Sequence, residues 1–250
     1  MALFNSKSCN PALSEKIFDK SLQQYDTTEG TMTINGTMGK FGFLLLMVFA
    51  GAFYTWNLYG KGEVSLMQTL MLVGIFGGLI SVIAIAFKPT LAKYLSPLYG
   101  LFEGFFLGAI SAIINDAFAK QAPGIVPQAV GLTFAVALTM FALYRFGVIK
   151  VTDKLRSIII SATIGIALFY LVTWVLGMFH VNVGFMYNSS MLGIGISVFV
   201  VIIAAMNLLL DFDMIDRGAQ MGAPKYLEWY GAFGLLVTIV WLYLEILRLL

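Results

Sequence analysis

Histidine and cysteine are almost missing from this chain. Its 250 residues contain one cysteine, Cys9, so an internal disulfide is excluded, and one histidine, His180, so a histidine metal site is excluded too. Zinc, iron–sulfur and thiol chemistry lose their usual ligands, and no cofactor is expected. Charge is also scarce. Asp, Glu, Lys and Arg make up 11% of the residues and the net charge is +2, which leaves no basic surface of the kind nucleic acid needs. No HExxH, GxSxG or paired catalytic aspartates in a recognised spacing occur, so an enzyme is not expected.

What the chain has in abundance is apolar sequence. Hydrophobic residues are 60% of the total and come in long blocks, so the solvent for most of the chain is lipid. About forty polar residues come first. Their charges alternate and no short apolar core follows a basic start, so residues 1–40 are expected to be a cytoplasmic tail rather than a cleavable signal, with one amphipathic turn or two around Ser14, Ile17, Phe18 and Leu22. Residues 41–250 form the membrane domain. Seven blocks, near 41–59, 66–87, 96–115, 126–146, 156–179, 189–211 and 226–248, each approach the ~20 residues a helix needs to cross a bilayer. Breakers separate them: Lys61-Gly62, Lys88-Pro89, Pro123-Gly124, Asn182-Val183-Gly184 and Gly222-Ala223-Pro224. With no β-barrel alternation, an all-α bundle is what satisfies the backbone in lipid.

Orientation follows from Lys and Arg. Twelve fall in the tail and in the loops on its side, and three, Lys61, Lys120 and Arg248, fall on the other. The excess predicts a cytoplasmic N-terminus and, with seven spans, a C-terminus outside. Trp56, Trp174, Trp229, Tyr59 and Tyr226 near the span ends fit an aromatic belt. Gly100, Gly104 and Gly108, and likewise Gly74 and Gly78, are spaced by four, as close helix packing in lipid requires.

The acids are the chemistry. Asp211, Asp213 and Asp216 follow the sixth block. Steps of four and three back from Asp211 reach Asn207, Ala204, Val200, Ser197 and Gly193, a small and polar stripe, whereas steps back from Asp213 meet bulky residues. Helical phase therefore turns Asp211 toward packed protein. Glu103, two turns into the third span beside Gly100 and Gly104, should face the bundle or be protonated. It reads as a proton or cation ligand, or as a structural partner of Arg145 or Asn207. Glu228 opens the last helix, where the helix N-terminus favours a carboxylate. Glu245 and Arg248 read as an interfacial pair.

Three segments, TMTINGTMGK before the first span, SPLYGLFEGFFLGAIS in the third, and LDFDMI with GAPKYLEWYGAFGLL at the end, resemble the Bax inhibitor-1 (transmembrane Bax-inhibitor-motif, YccA-like) family, in particular a bacterial branch. The resemblance implies a seven-helix bundle whose last helix sits centrally between two three-helix layers, in a bacterial inner membrane. It also implies a pH-sensitive calcium leak or, in other members, regulation of membrane-protein quality control or cell death. The family's sixth-helix aspartate matches Asp211. In its calcium-leak members a second aspartate on the last helix shares a proton with the first; that position falls on Leu236 or Thr238, neither of which ionises. Two functions are expected. One is a calcium or proton path using Asp211 and Glu103, supported by Asp213, Asn207, Glu228, Asp216 and Arg145. The other is a non-transporting scaffold that binds a membrane protease or secretion machine.

Overall fold

A computed structural model describes residues 30–179 and 191–250. The expected amphipathic turns of the tail, Cys9, His180 and the Asn182-Val183-Gly184 breaker lie outside the described residues. Seven long helices account for nearly all of the rest: α1 (Ile34–Gly60), α2 (Val64–Phe87), α3 (Ala92–Ala117), α4 (Ile125–Arg145), α5 (Asp153–Met178), α6 (Met191–Gln220) and α7 (Leu227–Leu249). Each is long and apolar enough to cross a membrane. The chain is an integral membrane protein, and the lipid bilayer is its environment.

Two helix boundaries differ most from expectation. The first helix starts at Ile34, so the last seven residues of the expected tail are already helical. Thr33 explains the shift: it is extended, and its hydroxyl accepts the Gly36 N–H at 3.0 Å, an N-cap that polarity-based reading of the tail overlooks. The sixth helix runs to Gln220 rather than stopping near Asp211. Asp211 therefore lies nine residues, about 14 Å, inside the helix end rather than at it.

The layers follow from which helices pack. α1, α2 and α3 form one layer and α4, α5 and α6 the other, while α7 packs on α1, α3, α4 and α6 between them. Seventeen of the 23 residues of α7 are buried. α5, at the periphery, buries three of 26, namely Arg156, Ile159 and Ile166. The last helix is thus the core of the bundle, as the resemblance implies.

Glycine sets the close approach inside the first layer. A methyl on Gly51 of α1 would sit 2.7 Å from the Leu101 carbonyl oxygen, and one on Gly74 of α2 would sit 2.5 Å from that of Phe102. Gly104 and Gly108 meet the backbone of α1 in the same way. In lipid this contact replaces the hydrophobic drive between helices.

The segment before α1 and the α6–α7 turn meet on one face. Gly222, at φ +67°, turns the chain between α6 and α7, and the segment after it pairs with the residues before α1. Thr31 bridges Pro224 in antiparallel fashion. Met32 N–H donates to the Ala223 carbonyl at 2.6 Å, and Lys225 N–H donates to the Gly30 carbonyl at 3.2 Å.

Candidate functional site: a buried acid on the central helix

Asp211 is 1% exposed, and its Oδ2 accepts a hydrogen bond from the Thr238 hydroxyl at 2.5 Å. Helical phase is the cause on both sides. On α6 the residues one and two turns back, Asn207 and Ala204, are buried with it, and on α7 Thr238 belongs to the inward stripe that includes Gly231 and Gly234. Of the two α7 positions the family pattern allowed, Thr238 is the one that meets Asp211; Leu236 belongs to the apolar core. The group that meets Asp211 from α7 is a hydroxyl.

A polar seam extends from this contact along α5, α6 and α7. Asn207 donates through Nδ2 to Thr163 Oγ1 and to the Ile203 carbonyl, both at 2.8 Å. Toward the face that carries the start of α1, Asp213 Oδ2 accepts from Arg156 Nη2 at 2.5 Å and lies 2.9 Å from Arg217 Nε. Arg156 and Asp213 are 5% and 8% exposed, so this is a buried ion pair with Arg217 closing its outer side. Tyr144 donates to Asp216 Oδ2 at 3.1 Å. Asp213, Asp216, Tyr144 and Arg145 line a cavity of about 570 Å³ on that face.

Glu103 stands elsewhere. Its carboxylate lies against Gly78 of α2, where a methyl would meet Oε1 at 3.3 Å, and beside the Tyr99 hydroxyl one turn back. α7 separates α3 from α6, and α3 and α6 do not pack along their length. Glu103 and Asp211 are therefore not brought together: one turns toward α2, the other toward α7. The depth of Glu103 is also greater than two turns, eleven residues or about 16 Å beyond the start of α3, because that helix begins at Ala92.

Glu228 is in the first turn of α7 as expected, but its partners come from the other end of the chain. It pairs with Lys40 and accepts from Thr33 N–H at 3.0 Å and Thr33 Oγ1 at 2.9 Å. Gly36 leaves the room: a methyl there would overlap the Glu228 carboxyl carbon at 2.5 Å. Lys40 also sits over the Trp229 ring, 5.5 Å from its centroid. The first and last of the three resembling segments are thus one structural unit.

At the opposite end Glu245 and Arg248 do pair, at 3.1 Å, but they are not merely interfacial. Glu245 is 5% exposed, and its Oε1 accepts from Tyr170 at 2.7 Å and Trp241 Nε1 at 3.2 Å. Sequence reading counted Arg156 among the loop cations and passed over Thr163 and Tyr170. Their signal was present: Arg156, Thr163 and Tyr170 recur every seven residues and so mark one face of α5.

Seven membrane-spanning helices, the last two of them bearing buried acids, define a polytopic membrane protein without a soluble domain among the described residues. Over residues 10–250 the chain matches the family described as Bax inhibitor 1 like, and it belongs to that family. No curated protein and no solved structure matches it.

Proposed function

We propose that the protein is a pH-sensitive cation leak, with calcium as the ion its oxygen ligands suit and Asp211 as the acid the ion passes. The observation that carries this reading is the Asp211–Thr238 contact. A carboxylate held midway through a membrane bundle is costly, and acids in that position mark ion or proton routes. Here it is tied to the helix around which both layers pack, so any shift of α7 changes its surroundings. Thr238 offers a hydroxyl oxygen and Asn207 an amide oxygen one turn from the carboxylate, and calcium accepts such mixed oxygen sets flexibly.

With a hydroxyl where the family's leak members carry a second acid, the proton is not shared between carboxylates. At this contact Asp211 faces a hydroxyl, and Glu103 enters as a separate acid on the α2–α3 seam. The lysine and arginine excess supports an N-terminus in the cytoplasm, and the resemblance of the three segments to a bacterial branch supports an inner membrane. No catalysis is involved.

Calcium flux into vesicles holding the purified protein, followed across pH, tests the reading. Asp211→Asn fixes the neutral form, so its flux should lose most of its response to pH, the remainder belonging to Glu103 and going in the double variant with Glu103→Gln. Absent flux, or flux whose pH response Asp211→Asn leaves undiminished, overturns it. A scaffold role is the second reading, favoured by α5: a helix with three buried residues of 26 presents a long apolar face, including Leu168, Leu171 and Trp174, to another membrane protein. A stoichiometric partner retained in mild detergent, together with absent flux, selects it.

A further inference from the structure

A second cavity, of about 400 Å³, opens between α1 and α4 on the lipid side of the bundle. The two helices do not pack along their length, and across the gap Phe49 stacks on Phe134 with centroids 6.2 Å apart. Phe53 at the mouth is 74% exposed, whereas Leu107, Leu236 and Val240 at the floor are between 0% and 7% exposed.

The lining decides what can enter. Its hydroxyls are already engaged: Ser111 and Tyr243 hydrogen-bond each other at 2.7 Å, and Thr133 donates to the Ala129 carbonyl at 2.7 Å. Water needs two to four polar partners, and an apolar cavity of ~150 Å³ already stays dry and takes up benzene or xenon. A partner helix does not fit either: Phe49 and Phe134 stack across the gap with centroids 6.2 Å apart, less than the diameter of about 10 Å that a helix needs. The volume is that of a small-molecule pocket, and the material at its mouth is hydrocarbon.

We propose that this cavity holds one acyl chain of a bilayer lipid, inserted between α1 and α4 against the central helix. At 100° per residue, Leu236, Val240 and Tyr243 lie on the reverse side of α7 from Thr238, with Ile239 about a quarter turn from it. The chain thus packs behind the helix that carries the Asp211 contact, and its occupancy sets how far α7 can move away from α6. The site stands on the cavity alone and holds whether or not the protein conducts ions.

The test uses the full chain in phosphatidylcholine–phosphatidylglycerol vesicles doped with a phosphatidylcholine that carries a diazirine in the distal half of one acyl chain. After irradiation, adducts are mapped by peptide mass spectrometry. Adducts are expected on Leu107, Leu236 and Val240, which bulk lipid does not reach. Val130→Trp fills the mouth and should reduce them about fivefold or more while leaving adducts on outward Phe76 of α2 unchanged. Labelling confined to outward residues such as Phe76 and Leu138 overturns the proposal, as does floor labelling that Val130→Trp leaves intact. Should that variant fail to fold, the wild-type map still decides.

Discussion

Gly108→Ala asks how much of the bundle depends on backbone contact between α1 and α3. The added methyl lands against the Ala52 carbonyl oxygen and Thr55 Oγ1, and 2.5 Å from the Ala52 Cα. Carbon atoms rest at about 3.5–4.0 Å, so the two helices must separate by about 1 Å or more along a seam that continues through Gly104 and Gly51. Backbone cannot rotate out of the way as a side chain can. Overpacking costs typically 1–3 kcal/mol, and backbone on the receiving side puts this case near 3 kcal/mol. Replacing a helical glycine by alanine returns about 1 kcal/mol of propensity, so the net loss is about 2 kcal/mol. Gly131→Ala is the control: it lies within α4 with nothing inside 4 Å of the new methyl, and only the propensity gain remains. Equilibrium unfolding in bicelles, read by steric trapping, should separate the two variants by about 3 kcal/mol. Equal stabilities would show that α1 and α3 part without resistance, and the reasoning from glycine spacing would fail.

Thr238→Val keeps the shape of the side chain but leaves the buried Asp211 carboxylate without that donor; a loss of about 1–3 kcal/mol is expected in the same unfolding assay, with Thr238→Ser restoring most of it. Arg156→Met removes one partner of a buried ion pair, for which a loss of about 3–5 kcal/mol is typical; Arg217 remains 2.9 Å from Asp213, so the lower end is expected, and Arg156→Met with Asp213→Leu should recover stability. Glu228→Gln weakens the clasp on Lys40 and Thr33 without emptying its space, and faster amide exchange is expected at Thr31–Lys40 and at Ala223–Trp229 together; exchange that rises on one side alone would show that the two segments do not open as a unit.

The number and order of the spans were legible because apolar length in lipid is a strong constraint and glycine spacing a strong packing signal. Helix ends were less so: Thr33 is a polar residue that caps α1, and Asp213 and Asp216 after Asp211 are polar yet helical, with partners in Arg156, Arg217 and Tyr144 that a hydropathy profile does not see. Asp211 was legible from phase alone. Its pairing was not, since phase on one helix says which side faces inward and nothing about which of six other helices waits there. That is why Glu103, equally deep and equally acidic, looked like a partner. The layer order decides against it: with α7 inserted between α3 and α6, the group opposite Asp211 has to come from the last helix, and the residue whose phase fits there is Thr238. The same geometry divides the consequences of losing either acid. A change at Glu103 acts on the α2–α3 seam, one at Asp211 acts on the hold between α6 and the core helix, and the two should add independently in stability as in flux. Coupling between Asp211→Asn and Glu103→Gln beyond about 0.5 kcal/mol would mean that α7 transmits between the layers instead of separating them.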